Sequence, residues 1–307
     1  MITPVLRRLL SGLAAVVLAS LLAFLILEAS PGDVLTSLLG DEATLEQTQA
    51  LREQLGLDEP LHVRYLDFLG RLTRGDLGVS IVHGRPVAQL IGQRFLNTLM
   101  LTTLSIILAV AAGIGLGVWA AIHHSSRSDL AVLILTALAL ALPTFGVAIF
   151  LTQLFSVRLG WLPSVGGGTT RHFILPCLSL AIPTAAVITR IVRARMIEEL
   201  QKPYVVTAHA KGLTLHQVWR THVLRNALVP ALTLVGVQFG HLLGGAFVVE
   251  TIFAWPGLGR LTVQAIFEQD YPVVLGAVVL SALVFQVLTA LVDIVHQQID
   301  PRIRVGV

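Results

Sequence analysis

Six long stretches of this 307-residue chain consist almost entirely of apolar residues, and each is long enough to cross a lipid bilayer as a helix. Hydrophobic residues make up 55% of the chain and charged residues only 13%, which excludes an ordinary soluble domain. The sequence therefore predicts an all-α polytopic membrane protein with one transmembrane domain over residues 1–307. The six spans cover residues 9–27, 95–122, 130–157, 173–191, 231–253 and 272–295.

The first run follows Arg7 and Arg8, as the apolar core of a secretory signal peptide would. It is much longer than the usual core of about 7–15 residues, and further spans follow it. We therefore predict an uncleaved first transmembrane helix. An even number of spans places both termini on the same side of the membrane.

Charged residues divide unequally between the segments that join the spans. The two tails together with residues 123–129 and 190–226 hold twelve Lys and Arg residues and four acidic ones, a net charge of +8. The polar segment at residues 28–94 holds six basic and ten acidic residues, a net charge of −4. Because cytoplasmic loops are enriched in Lys and Arg, we predict cytoplasmic termini and an extracytoplasmic insertion at 28–94.

Residues 201–230 form the longest polar and basic interval in the second half of the chain. Thr214 and Gln217 fit a capping box at a helix start. Gly212, just before them, predicts a turn between two short helices. Apolar and aromatic residues then recur with helical spacing, which predicts an amphipathic second helix. Its predicted apolar face is Leu215, Val218, Trp219, His222 and Val223.

Residues 201–230 contain two half-motifs, Ala208-x-Ala210-Lys211-Gly212-Leu213 and His222-x-Leu224-Arg225-Asn226-Ala227-Leu228-x-Pro230. They resemble the cytoplasmic loop of ABC importer permeases, and more narrowly that of the peptide/nickel permease family, first-permease (B-type) subunits. Val206 stands where the wider superfamily has a glutamate, and Pro230 lies further beyond the glycine than in that superfamily. Peptide permeases commonly share both departures.

The resemblance implies a type I ABC importer permease in the bacterial plasma (inner) membrane. Its implied partners are a homologous second permease subunit in a heterodimer, two ABC ATPase subunits, an extracytoplasmic substrate-binding protein and membrane lipid, with no nucleic acid. The sequence contains no G-x-x-x-x-G-K-[ST] phosphate loop, so ATP and Mg would be used by the ATPase subunits. The chain itself would be a non-catalytic transport subunit that binds no cofactor and no metal.

In this family the loop docks into the ATPase subunit. The alternative from the residues alone is an amphipathic helix that lies among the lipid headgroups, with Trp219 as an interfacial anchor. The resemblance assigns ATPase coupling to Thr207, Ala208, Ala210, Lys211, Gly212, Leu215, Val218, Trp219, His222 and Arg225.

Import of short peptides delivered by a binding protein is the expected function, and import of nickel or a metal chelate by the same architecture is the alternative. A stand-alone secondary transporter is a third hypothesis. It would need ion-coupling carboxylates near the bilayer midplane, whereas the charged residues here lie mostly near the span ends.

A second family signature occupies residues 253–260, Phe-Ala-Trp-Pro-Gly-Leu-Gly-Arg. Its Pro-Gly pair predicts the end of the fifth helix and a turn, after which a short helix packs back on the bundle. From the residues alone, the segment is a helix stop with interfacial aromatic residues. The side chains expected to pack are Leu258, Leu261, Thr262 and Ala265. The resemblance places at an external gate, bordering the pathway, Phe253, Trp255, Pro256 and Gly257. Two segments of the insertion, 55–61 and 75–80, also resemble the family's external region.

Gln238 and His241 lie three residues apart near the middle of the fifth span. An ionisable group inside a membrane costs about 2.5–3.5 kcal/mol on insertion scales and usually faces a bundle interior or a water-filled cavity. We therefore predict that both residues line the pathway. The alternative for His241 is a neutral imidazole bonded to a neighbouring helix. Glu250 and Asp293, nearer helix ends, are predicted to be structural.

Small residues and prolines predict local geometry inside the spans. A spacing of four between glycines allows close helix approach. Pro143 is the predicted bend of the third span. The glycines with this spacing are Gly113 and Gly117 in the second span, and Gly236, Gly240 and Gly244 in the fifth.

Overall fold

The computed structural model of the chain describes residues 2–29, 44–54 and 58–299. Residues 55–57 of the first external motif, and the tail from Asp300, lie outside the described residues. Within the described ranges the regular elements are α-helices and two π-helical segments. In chain order they are α1 (Ile2–Ala29), α2 (Leu45–Gln54), α3 (Leu61–Thr73), α4 (Val87–Ile122), α5 (Arg127–Ala141), α6 (Thr144–Leu151), π1 (Thr152–Arg158), α7 (Thr170–Leu200), α8 (Pro203–Ala210), α9 (Leu215–Val218), π2 (Trp219–Val223), α10 (Leu224–Ile252), α11 (Leu258–Phe267) and α12 (Tyr271–Ile299).

Five of the described helices, α1, α4, α7, α10 and α12, contain stretches long and apolar enough to cross a membrane. The pair α5–α6 with π1 forms a sixth candidate when its two halves are taken together. These elements coincide with the six apolar runs of the sequence. The predicted all-α polytopic fold is therefore confirmed.

The third span bends by 106° between its two halves. α5 ends at Ala141, Leu142 is extended, and Pro143 directly precedes α6. The residue before a proline is pushed out of the helical conformation, and the proline has no N–H with which to continue the helix. Pro143 therefore sets the bend at the predicted place, and the large angle makes this element a broken span or a re-entrant loop rather than a straight crossing.

Backbone contacts group the chain into two units, each described here by itself. In the first unit, the insertion helix α3 is fastened to α1, because the Arg64 guanidinium donates to the Glu28 carboxylate at 2.9 Å. The fully buried Asp270 carboxylate accepts hydrogen bonds from the Ser80 hydroxyl and from the Ile81 N–H. It thereby holds the segment after the 75–80 motif against the start of α12. The first unit comprises Met1–Asn97 and Pro256–Val287.

The second unit is built around α7, which is the most enclosed of the five candidate spans that consist of a single helix. α4 approaches α7 closely through two glycines. A Cβ atom added to Gly113 would lie 2.7 Å from the Ile188 Cβ, and one added to Gly117 would lie 2.8 Å from the Val192 Cβ. The predicted close approach at these glycines is confirmed. The second unit comprises Thr98–Trp255 and Leu288–Val307.

The glycines of α10 behave differently. A Cβ added to Gly244 would meet no atom of the described residues within 4 Å, whereas one added to Gly245 would lie 3.7 Å from the Leu180 Cδ2 on α7. At this height Gly245, which is not a member of the predicted seam, faces α7. The spacing of four identifies a smooth helix face but does not say which neighbour the face meets.

Candidate functional site

The basic loop at residues 201–230 begins where α7 ends. Lys202 is extended, and Pro203 occupies the first position of α8, where its missing N–H sacrifices no hydrogen bond. α8 ends at Ala210, and Gly212 then takes a left-handed conformation with a φ of +85°. The predicted glycine turn between two helices is confirmed.

Thr214 caps the helix that follows the turn. Its hydroxyl accepts from the Gln217 backbone N–H at 3.3 Å, and the Gln217 side-chain oxygen accepts from the Thr214 N–H at 2.9 Å. This reciprocal pair is the predicted capping box. The expectation of a separate short second helix is wrong, however, because α9, π2 and α10 run on without a break from Leu215 to Ile252. The second half of the loop is the first part of the fifth span's helix.

The buried stripe of this continuous helix differs from the predicted apolar face. Val218 and Val223 are fully buried and Trp219 is half-buried, but Leu215 is 53% exposed and His222 is also exposed. In a π-helical turn the chain bonds from residue i to i+5, so one extra residue is accommodated. The predicted face assumed an α-helical repeat throughout, and two of its five residues, Leu215 and His222, lie outside the buried stripe.

The ten residues assigned to coupling divide into a group packed inside the chain and a group on the exposed surface of the loop. Ala208 and Val218 are buried in a cluster with Ile188 and Met196 of α7, and they fix the loop to the second unit. Trp219 packs partly against that cluster. The remaining residues form the exposed surface of the loop, and they are Thr207, Ala210, Lys211, Gly212, Leu215, His222 and Arg225.

A polar cluster at the base of this loop was missed by the sequence reasoning, which counted Glu199 only as a charge. The Glu199 carboxylate accepts from the Tyr204 hydroxyl at 2.7 Å and from the Lys202 ammonium, and the Asn226 side chain lies beside it. Burial and the bond to Glu199 raise the pKa of the Tyr204 phenol above its ordinary value. The acid–base spacing of three between Glu199 and Lys202 was a signal for part of this cluster. Asn226 is brought in only by the fold.

The second family signature follows α10. The helix ends at Ile252, before the predicted proline, because Ala254 takes a left-handed conformation with a φ of 51°. The Trp255 N–H then donates to the Glu250 carbonyl at 2.8 Å, which closes the helix end. α11 begins after Gly257, and its four expected packing residues are all buried, so the prediction of a short packed helix is confirmed.

Both aromatic residues of this signature are packed inside the chain. Phe253 and Trp255 are buried, the Phe253 carbonyl accepts from the Gly166 N–H at 2.9 Å, and the Trp255 ring meets Phe173 edge-on at 5.5 Å. The carbonyl of Pro256, which is half-buried, accepts from the Asn97 side chain at 2.7 Å. The aromatic pair thus supports this helix end, and a gate role for residues 253–257 stays a prediction.

The polar side chains on α10 differ in how deeply they are buried. His241 is exposed in the single chain and Gln238 is half-buried, so the placing of both along a pathway stays a prediction. Glu250 is fully buried and accepts from the Thr98 hydroxyl, as expected for a structural role. The Asp293 side chain lies outside the described residues. Within the ranges that the structure covers, no group of three His, Cys, Asp or Glu side chains is arranged to hold a metal ion.

The sequence matches two parts of one family of membrane proteins. The family described as "Binding-protein-dependent transport system inner membrane component" matches residues 113–305, and its N-terminal counterpart, "Binding-prot-dependent transport system membrane comp, N-term", matches residues 1–102. The chain belongs to this family. It is a permease subunit of an ABC importer, of the peptide/nickel type that the loop motifs indicated.

Curated relatives match the permease over almost its whole length. The glutathione transport system permease protein GsiC of Salmonella typhi is 41% identical over 304 residues, which is 99% of each chain. GsiC of Escherichia coli strain K12 is 40% identical over the same length and coverage.

Solved structures of ABC transporters show the same fold. A chain of the inward-facing MetNI methionine ABC transporter has a TM-score of 0.57 at 17% identity, and the match covers 69% of the permease and 97% of that chain. A chain from the crystal structure of an amino acid ABC transporter with histidines has a TM-score of 0.54 at 18% identity, covering 69% and 94%. The permease therefore contains nearly all of that fold together with additional chain.

Proposed function

We propose that the permease imports short peptides, driven by two ATPase subunits, one of which docks onto its loop of α8, the Gly212 turn and α9. The observation that carries the proposal is the division of this loop into an anchored and an exposed side. Ala208 and Val218 are buried on α7, while Val206 is 70% exposed and Leu215 is 53% exposed. Exposed apolar side chains beside a fixed turn are typical of a surface that binds a protein partner.

The lipid-headgroup alternative for this loop has less support. An interfacial helix needs a continuous apolar face of its own that it can bury among lipids. α8 has eight residues, and its apolar Val205 and Ala208 are already buried within the chain. The apolar surface left exposed on α8 centres on Val206 and does not form a continuous stripe, which favours a protein partner over a membrane surface.

The assembly that follows from this proposal is a heterodimer with a homologous second permease, served by two ATPases and a binding protein. The exposed face of α10 supports such pairing, because it carries His241 between Val237 and Val248, which are about half-exposed. A second permease against this face would enclose His241 and Gln238 in the pathway. ATP and Mg would be bound by the ATPases, and this chain would catalyse no reaction.

The substrate class rests on the relatives. Glutathione is itself a short peptide, and the permeases named for its transport align with the permease from end to end. Nickel or a metal chelate remains the alternative, supported only by the breadth of the family. We place the termini and the 201–230 loop in the cytoplasm, and the 28–94 insertion on the side of the binding protein, from the distribution of Lys and Arg.

The proposal is tested by reconstitution into liposomes. The permease, its second permease, the ATPase subunits and the binding protein should take up radiolabelled glutathione or dipeptides when ATP is supplied. The permease alone should show no uptake with any ion gradient. Gradient-driven uptake by the single chain would contradict the proposal, and uptake of a nickel chelate without peptide uptake would overturn its substrate class.

A further inference from the structure

A buried ion pair joins α5 to the last turns of α7. The Arg193 guanidinium donates to both carboxylate oxygens of Asp129, at 2.6 Å from Nε and 2.7 Å from Nη2. Asp129 is 2% exposed, and its Oδ2 also accepts from the Ser125 N–H at 3.0 Å and lies 3.3 Å from His124 Nδ1. A two-point contact between guanidinium and carboxylate fixes direction as well as distance. It therefore holds the start of α5 in one orientation on α7.

The Glu199 cluster likewise holds a neighbouring element against α7, at the end of that helix. Glu199 belongs to the last turn of α7, Tyr204 to α8 and Asn226 to the first turn of α10. The Tyr204–Glu199 bond ties the docking loop to α7, and the Asn226 side chain, at the start of α10, lies beside both groups.

The helix between the two contacts contains no helix-weakening residue, whereas the helix before them contains a proline. Arg193 and Glu199 are separated by about 9 Å of helix that contains neither proline nor glycine. Pro183, further up α7, removes one backbone hydrogen bond from the helix interior. Helices bend most readily at such a proline. We term residues 183–200 the lever segment. A proline that weakens the helix lies at its start, and the side-chain contacts of Arg193 and Glu199 hold its second half.

We propose that the lever segment transmits movement of the docking loop to α5, and that Asp129, Arg193, Glu199 and Tyr204 are the positioning residues that make this transmission rigid. The proposal rests on the proposed docking of an ATPase subunit to the loop. When the ATPase displaces α8, the Glu199 cluster moves the lever segment with it. The Asp129–Arg193 pair then carries α5, the first half of the bent third span.

Apolar packing alone would not give the same result. Packed side chains allow neighbouring helices to slide by small steps, whereas directional charged contacts resist such sliding. A buried ion pair is also weak grounds for stability, since well-packed apolar replacements are often as stable or more so. Transmission and stability can therefore be separated by variants that remove the contacts without leaving a buried unpaired charge.

The first experiment measures uptake per ATP hydrolysed in the reconstituted complex, with radiolabelled glutathione as the probe. One variant combines Asp129→Asn with Arg193→Met, which retains an acceptor for the Ser125 N–H and the aliphatic volume of the arginine. A second is Tyr204→Phe, which removes only the hydroxyl. The control is Arg195→Gln with Glu198→Gln, an exposed ion pair inside the same lever segment.

Both test variants should reach normal abundance and retain the ATPase subunits, while uptake per ATP falls roughly fivefold or more, the fold-change of a typical lost coupling. The control should behave as the unmodified complex. Unchanged uptake per ATP in both variants would overturn the proposed transmission through the lever segment. A loss of ATPase subunits would also overturn it, because the contacts would then serve docking or folding alone.

The second experiment is independent of the substrate. Spin labels at Leu135→Cys on α5 and Ala194→Cys on the lever segment both sit at exposed positions, and the native Cys177 is buried. Their separation should be the same in the ATP-free and vanadate-trapped complexes, and should change on trapping only in the Asp129→Asn, Arg193→Met variant. A changed separation in the unmodified complex would overturn the lever. Failure of ATPase subunits to bind the unmodified permease would instead contradict the proposed function.

Discussion

Val218 and Val223 lie five residues apart in one helix, and both are fully buried in the cluster that packs on α7. In a regular α-helix, residues five apart point in directions about 140° apart. The π2 segment between them, Trp219–Val223, brings the two side chains onto one side. The helix thereby changes register where the docking loop enters the fifth span.

This register gives the first prediction. Val223→Asp should lower the free energy of unfolding by several kcal/mol and reduce abundance in the membrane, because it places an unpaired charge in a packed site. The matched control is His222→Asp, at the adjacent exposed position, which should leave abundance and thermal stability nearly unchanged. Thermal unfolding of detergent-purified protein measures the stability of the two variants, and quantification in isolated membranes measures their abundance. An equal loss for the two variants would contradict the π-shifted register.

Close helix contact gives the second prediction. Gly113→Ala should destabilise the permease by about 1–3 kcal/mol, because its Cβ would overlap Ile188 and overpacked interiors must shift. Gly115→Ala is the control on the same helix, where a Cβ meets no described atom within 4 Å. The midpoint of thermal unfolding should fall only for Gly113→Ala. Equal midpoints would show that α4 does not approach α7 at Gly113.

The glycine turn gives the third prediction. A Cβ at Gly212 would meet no described atom within 4 Å, but the left-handed backbone should cost Gly212→Val about 1–2 kcal/mol and misplace α9. Leu215→Asp should put a charge into the exposed apolar patch. Both variants should insert normally, co-purify poorly with the ATPase subunits and lose uptake.

A matched control for the turn is Gly84→Val, which has the same left-handed strain and open surroundings but lies in the insertion. It should retain the ATPase subunits, as should a change at Thr170. Normal ATPase binding and uptake by both Gly212→Val and Leu215→Asp would remove the loop from the docking surface.

Orientation gives the fourth prediction. A cysteine at Leu66, which is 63% exposed on α3, should react with an impermeant maleimide from outside intact cells. A cysteine at Thr221, exposed on π2, should react only after the membrane is opened. Ser80 is unsuitable as the outer site because its side chain is buried on Asp270. The reverse labelling pattern would overturn the cytoplasmic assignment of the loop and termini.

The sequence by itself determined the features that depend on neighbouring residues or on total apolar length. The number of spans follows from the length of the apolar runs, and the bend at Pro143 follows from the sterics of proline. The Thr214–Gln217 box and the Gly212 turn are likewise local, since each satisfies or frees backbone groups within a few residues. The loop motifs that identify the family are also recognisable from the order of residues alone.

Tertiary structure alone decided which side of each helix meets which neighbour. The fifth span's helix shifts register in π2, where Val223 rather than His222 joins the buried cluster, and no local pattern distinguishes that choice. The contacts of Glu199 with Asn226 and of Asp129 with Arg193 join residues far apart in the chain, so their partners exist only once α5, α8 and α10 have packed around α7. Burial and directional pairing arise when the helices pack together. The helical repeat of a single segment therefore predicts neither of them.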